Sequence, residues 1–535
     1  EAGAPTAATL RRLQVFYTCL YRVLLFPRRL DELTPKGVQH WSPYDGKVHD
    51  GPGATDNGFW DTFRTVYPLL ALAYPQELGE LLQAWLNAFA AGGWLPKWAS
   101  PGYRGTMVGT FADVVFADAI LKNISGFDRE LAWEALRKDA FREPMDTVGD
   151  TARGKFGLRH YVENGFIPTD VDIPEACSRT LDFAYADAAI ASIADRMRKA
   201  VIGRTLRGRS LNALRKMYNP ATGLMGHRTK DLAFHEEPPE TWGDCFTEGS
   251  TWHHSFPPFN LSALLELHGG RGPLLQRLRA LLAAPAHFIP GSYKETIHEM
   301  REMRMLGMGQ YAHNNQPVHH IPYLFAMLGD HNETALLVRR ILAQAYSPRG
   351  FAGDEDNGEM GAWFVLSAIG LYAAATGTTE DYVLGAIPLF PRIHLRDLGV
   401  TIEAPSAELE APLVAGVLWR GAPLPGPGVA YSALHLGGVL RFRAPGDPLL
   451  GGEPAAAQQS RQRLRHGRGH VAGGPEPSLA LGGWAEQPAG LPAFALALLL
   501  AAALALAAWP SGRRRCWRRC REGRACDPAA EGKAS

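Results

Sequence analysis

Apolar residues recur at three- and four-residue intervals from about Leu10 to Thr376, a period that predicts helices. Leu81, Leu82, Trp85, Leu86 and Phe89 mark one helical face, stopped by Gly92 and Gly93; Ile190, Ile193, Met197 and Val201 mark a second, and Leu337, Val338, Ile341 and Leu342 a third. Strand patterns are scarce over this stretch. After about Asp381 the pattern changes to short alternating runs, "RIHL", "VTIEA" and "GVLRFR", divided by Pro and Gly, which predicts a small antiparallel sheet. The expected organisation is a helical domain over residues 1–380, a β domain over 381–445, a low-complexity stalk over 446–490, a transmembrane helix over 491–509 and a short basic tail over 510–535.

Charge removes one class of function. Lys and Arg total 55 against 54 Asp and Glu, so the net charge of +1 supplies no long-range field for nucleic acid, which is excluded as a partner. The cysteines Cys19, Cys177, Cys245, Cys516, Cys520 and Cys526 are too few and too scattered for a disulfide scaffold or a zinc cluster, and counting does not decide whether Cys177 pairs with Cys245. Leu491 to Trp509, "LPAFALALLLAAALALAAW", carries no charge and has about the length that a membrane span needs. "RRRCWRR" follows it and by the positive-inside rule stays cytoplasmic. The expectation is a single-pass membrane protein with a lumenal or extracellular body, in keeping with the sequons at Asn123, Asn260 and Asn332. Nothing in the sequence points to an oligomeric state.

Loops that lead into apolar helices share one composition: "DNGFWDTFRT" from Asp56, "WGDCFTEGSTWHH" from Trp242, "HNNQPVHHIPYLF" from His313 and "GDEDNGEMGAWF" from Gly353, joined by "GWLPKWASPGYR" from Gly93. If the helices alternate around a ring, these loops gather Trp, His, carboxylate and amide groups at one rim, the mixture that sugar recognition requires. Taken singly, Asp354 reads as a helix cap, His319 and His320 as core histidines, and Trp60, Trp98 and Trp252 as core aromatics. The run Asp354, Glu355, Asp356 exceeds what a cap requires; such crowding costs stability unless a cation or a catalytic duty offsets it.

In chain order, "DNGFWDTFRT", "GWLPKWASPGYR", "SRTLDFAYAD", "TEGSTWHH", "NNQPVHHIPYL" and "GDEDNGEMGAW" resemble the signature blocks of glycoside hydrolase family 92, from about Phe16 to Pro445. The resemblance implies a calcium-dependent, exo-acting, inverting α-mannosidase whose catalytic domain, residues 1–380 here, is an (α/α)6 toroid. It implies Glu248 as general acid, Asp354 and Asp356 as the source of the general base, Asn315, Gln316 and Asp356 as calcium ligands, and Trp60, Asp61, Trp98, Arg104 and His313 as substrate contacts. The implied substrates are mannose-containing glycans or glycoproteins, with α-1,2 linkages expected first.

Phe111 stands where that family usually has His, and Tyr185-Ala186-Asp187 where it has Tyr-Asp-Asp. The likeness starts shortly before "VFYTCLYRVLLFP" and leaves the family's N-terminal β-sandwich outside this sequence. Two further readings stay open: a catalytically silent mannose-binding protein, and an (α/α)6 glycosidase of another specificity.

Overall fold

In the computed structural model, which describes residues 6–144, 152–407 and 413–447, helices form in pairs. In chain order, α1 is Ala7–Val23, α2 Val66–Ala73, α3 Pro75–Gly92, α4 Ala112–Leu121, α5 Arg129–Phe141 and α6 Ala176–Ile193. There follow α7, Ala200–Met217; α8, Leu261–Leu267; α9, Arg271–Ala283; α10, Ile321–Met327; α11, His331–Gln344; and α12, Glu359–Ala368. Among the described residues α2 packs on α3, α4 on α5, α6 on α7, α8 on α9 and α10 on α11, while α1 packs on α12. The series closes on itself, because α12 also packs on α2.

Sequence explains which partner of each pair lies inside. Every residue of α4 and of α12 is buried, including Asp113, Asp118 and Glu359, as expected of a helix covered on all sides. α3 buries Leu78, Leu81, Leu82, Trp85, Leu86 and Phe89 on one face; Pro75 starts it and Gly93, left-handed at φ +82°, ends it. α11 likewise buries Leu337, Val338, Ile341 and Leu342 and turns its other face outward. Since the inner helices begin where the signature loops end, the loops collect at the inner helices' N-terminal side.

Two β regions depart from the sequence reading. Asp31–Thr34, Gly37–Trp41 and Val48–Asp50 form an antiparallel meander inside the stretch read as helical, on segments too short and polar to show a clear alternation. The later sheet is mixed: Val400–Glu403 pairs antiparallel with Arg392–Leu395 and parallel with Gly438–Arg443, so the antiparallel expectation is corrected. Its Val400, Ile402, Leu440 and Phe442 join the same apolar core as the helices, and all the described residues lie in one compact unit, Glu1–Pro448.

No helix among the described residues is long and apolar enough to cross a membrane. The expected stalk, the span over 491–509 and the basic tail lie outside the described residues.

Candidate active site

Glu248 lies in the strand Phe246–Ser250, which pairs with Trp242–Gly243 across an irregular turn. Its φ of +46° is left-handed, a conformation that costs a non-glycine residue about 1 kcal/mol or more and persists only where the surroundings impose it. Those surroundings are explicit. Thr247 donates its N–H to Ser178 Oγ at 2.7 Å, Ser178 donates its own to the Cys245 carbonyl at 3.0 Å, and a disulfide joins Cys177 to Cys245. The Glu248 hairpin is thereby bolted to the first turn of α6. Burial, helped by Glu299 and Asp356, pushes the Glu248 carboxyl up to about 7, the range a general acid needs.

The three consecutive acids separate completely. Glu355 turns outward to Arg22 of α1 at 3.1 Å and accepts the Gly361 N–H at 3.2 Å, so it ties the first turn of α12 to α1. Asp354 stays at the surface with its side chain 73% exposed, 3.8 Å from His298, and does not cap the helix. Asp356 turns inward. It opens a run of three left-handed residues, with φ +49°, +55° at Asn357 and +95° at Gly358. Gly358 needs that freedom and its small size, because a Cβ there would stand 2.7 Å from the Val23 backbone. Burial, with Glu359 and Asp354, pushes Asp356 up to about 7.

Adjacent amide side chains link the two loops. Asn315 Nδ2 donates to the Glu248 carbonyl at 2.8 Å, and Gln316 Nε2 donates to Asp356 Oδ2. Asp61 completes the group: it is 2% exposed, its Oδ2 has no hydrogen-bond partner, and burial together with Asp356 and Glu248 raises its carboxyl well above the usual range. Asn357 Oδ1 accepts the Gly58 N–H at 2.8 Å, which docks the acidic loop on the loop that carries Asp61.

Other expected contacts are placed differently. Trp60 is 2% exposed and Arg64 covers its ring at 4.8 Å, so it offers no open platform. Trp98 is half-buried against Gly58, where a Cβ would collide with its ring at 2.4 Å. Arg104 sits opposite Trp98 on the paired strand, is exposed, and donates from Nε to the Ser100 carbonyl at 2.8 Å, so it does not enter the group. His313 is fully buried and shares both ring nitrogens with the tyrosine hydroxyls of Tyr311 and Tyr346, each at 2.9 Å; no nitrogen is left for a sugar. His319 and His320 are core histidines, bonded to Glu359 and to the Phe256 carbonyl.

Sequence reasoning passed over a cavity of about 60 Å³ lined among others by Arg64, Phe111, Asp182, Tyr185, His254 and His320. Phe111 stacks on Phe63 at 4.1 Å and lies below Arg64, so an aromatic wall occupies the position of the histidine usual in the resembling family. Arg64 and Asp182 were present in quoted blocks; the available signal was a lone cation among aromatics in "FWDTFRT" and a lone acid in the apolar run "TLDFAYA".

Residues 5–444 match the Glycosyl hydrolase family 92 catalytic domain. The chain belongs to glycosyl hydrolase family 92. Among solved structures it is similar to the family 92 inverting mannosidase of Bacteroides thetaiotaomicron VPI-5482, with 36% identity and a TM-score of 0.72 over 83% of this chain and 60% of that one. It is also similar to a family 92 α-mannosidase from Bacteroides thetaiotaomicron, at 25% identity and a TM-score of 0.69 over 83% of this chain and 57% of that one. A curated relative, an uncharacterized secreted glycosidase of Arthroderma benhamiae, is 26% identical over 328 residues, 54% of this chain and 38% of the relative. The chain thus spans less than two thirds of the length of each of these proteins. The curated relative is a secreted glycosidase, which corrects the single-pass membrane placement read from the sequence.

For a family 92 domain the donor set can be tested against a hard cation. Asp61 Oδ2 and Glu359 Oε2 are buried without partners, and Asp61, Glu248 and Asp356 have no cation within ion-pair distance among the described residues. Carboxylates and amide carbonyls are the ligands calcium prefers. Rotating the Gln316 amide by half a turn puts its carbonyl oxygen beside Asp356 in place of the nitrogen. The residues fit such an ion.

Proposed function

We propose that the chain is an exo-acting, inverting α-mannosidase that releases terminal α-linked mannose from glycans, α-1,2-linked mannose in the first instance, with calcium assistance. The observation that carries the reading is the tie made by Asn315 and Gln316, which couples the Glu248 loop to the Asp356 loop through neighbouring side chains. An inverting hydrolase needs an acid and a base on opposite sides of the sugar with room for water between them, and two loops joined in this way supply one carboxyl each.

In this reading Glu248, kept protonated by burial, gives its proton to the glycosidic oxygen as the bond from that oxygen to the anomeric carbon breaks. Asp356 takes a proton from the water whose oxygen attacks the same carbon from the opposite face, and mannose leaves with inverted configuration. Asp356, with the amide oxygens of Asn315 and Gln316, would hold calcium, which would supply positive charge to the site and keep Asp356 ionised as the base. Asp354, exposed at the rim, is the weaker candidate for the base.

Glu248→Gln tests the acid. Turnover of a disaccharide is expected to fall by about 10²–10⁴-fold while an aryl mannoside with an activated leaving group is largely spared, because only the former needs protonation. Equal loss on both substrates removes Glu248 from the acid's role. Mannose binding by the unaltered chain without release of mannose would support the silent-binding alternative.

A further inference from the structure

The turn that ends α4 is rigid and carries two open polar side chains. Lys122 caps the helix, Asn123 is left-handed at φ +54° and donates its N–H to the Ile120 carbonyl at 3.2 Å, and Ile124 donates its own to the Ala119 carbonyl at 2.9 Å, the paired bonds of a Schellman motif. Ile124 is buried in the core, and the Ser125 carbonyl lies so close to α3 that a Cβ on Gly79 would stand 2.0 Å from it. Between these anchors Asn123 and Ser125 both face solvent. Arg129 donates from Nη2 to Asn123 Oδ1 at 2.8 Å, which leaves Asn123 Nδ2 and the Ser125 hydroxyl without partners among the described residues.

A left-handed turn accounts for an asparagine at 123, since Asn after Gly is the residue that accepts this conformation, but it does not account for a hydroxyl at 125. Asn-X-Ser/Thr is the acceptor sequence for N-linked glycans, in which amide and hydroxyl are presented together on an exposed segment. The other two sequons do not present them so. Asn260 is half-buried, and its Oδ1 caps α8 by accepting the Ala263 N–H at 3.0 Å. Asn332 is exposed but stands within α11, and its Thr334 is fully buried, donating its hydroxyl to the Pro322 carbonyl at 2.7 Å and accepting the Ala326 N–H at 2.8 Å.

We propose that Asn123 is the N-glycosylated sequon of this chain. Its Nδ2 forms a bond to the anomeric carbon of an oligosaccharide carried on a polyprenyl pyrophosphate; the bond from that carbon to the pyrophosphate oxygen breaks, the polyprenyl pyrophosphate leaves, and the amide gives up one proton to the transferase. α4 has every residue buried and begins on the side where the signature loops collect; its 10 residues span about 15 Å. Asn123 therefore lies at the far end of that helix, where a glycan leaves the loops of Glu248 and Asp356 open.

Peptide mapping tests it. The whole chain is directed into the secretory pathway of a eukaryotic cell by a cleavable leader, the folded protein is recovered, and its glycans are released by peptide N-glycosidase in heavy-oxygen water, which turns each glycosylated Asn into a labelled Asp. Label is expected at Asn123 in most chains, with little at Asn260 or Asn332. Ser125→Ala removes the acceptor hydroxyl and leaves the Schellman turn intact, so it is expected to erase the label at Asn123 without changing thermal unfolding of the deglycosylated protein. An unlabelled Asn123, label that survives Ser125→Ala, or label mainly at Asn260 or Asn332 overturns the proposal.

Discussion

The protein buries two groups of acids and treats them in opposite ways. On the side of α4 to α7, Asp113, Asp139 and Asp187 surround Lys155, whose Nζ is 3.2 Å from Asp187 and 3.9 Å from Asp113, all three side chains fully buried. Arg209 Nε reaches Asp187 at 2.5 Å, and the Tyr161 hydroxyl donates to the same carboxylate at 3.1 Å. Burial and the neighbouring Asp113 push Asp139 upward, which favours its protonated form. Asp113 and Asp187 thus face two cations, Lys155 and Arg209. Around Glu248 no such balance exists: Glu359 has His319 at 2.7 Å, but Asp61, Glu248 and Asp356 lack a cation within ion-pair distance among the described residues. A group that neutralises itself holds a fold together; one left short of positive charge is built to take charge from a ligand.

The contrast breaks first at its structural end. Lys155→Met leaves Asp113 and Asp187 with Arg209 alone and is expected to cost about 3–5 kcal/mol of stability, read by denaturant unfolding. Asp356→Asn should do the reverse. In calcium-free buffer it removes an opposed buried charge, so unfolding is expected to be unchanged or shifted upward, while turnover falls by about 10²–10⁴-fold on every substrate. Similar unfolding behaviour of the two variants would erase the distinction between the groups.

A smaller effect sharpens it. In the proposed role of acid Glu248 works only while protonated, and its carboxyl is pushed up to about 7, so kcat/KM is expected to fall as pH rises through about 7. Bound calcium favours the ionised form and moves that limb to lower pH. Glu248→Gln should abolish the limb; its survival would assign it to another group.

The loops that carry Glu248 and Asp356 were legible because a few residue types recur in fixed short blocks and each block abuts an apolar helix. What spacing cannot supply is direction. Asp354, Glu355 and Asp356 are adjacent in sequence, yet three successive left-handed residues beginning at Asp356 send the three carboxyls to the rim, to Arg22 and to the interior. Arg104 looked like a pocket residue, but it is exposed and its Nε is taken by the Ser100 carbonyl. His313 stood in the right block, and two tyrosine hydroxyls distant in sequence claimed its nitrogens. The Cys177–Cys245 link depends on a contact across a sequence separation of 68, which periodicity does not encode.

Release of mannose from α-1,2-mannobiose by the whole chain, assayed with calcium and again with excess chelator, tests the central claim most directly. Release that requires calcium and stops on chelation is the result expected if the under-neutralised group is a cation-assisted catalytic site; release at the same rate in both conditions would contradict it.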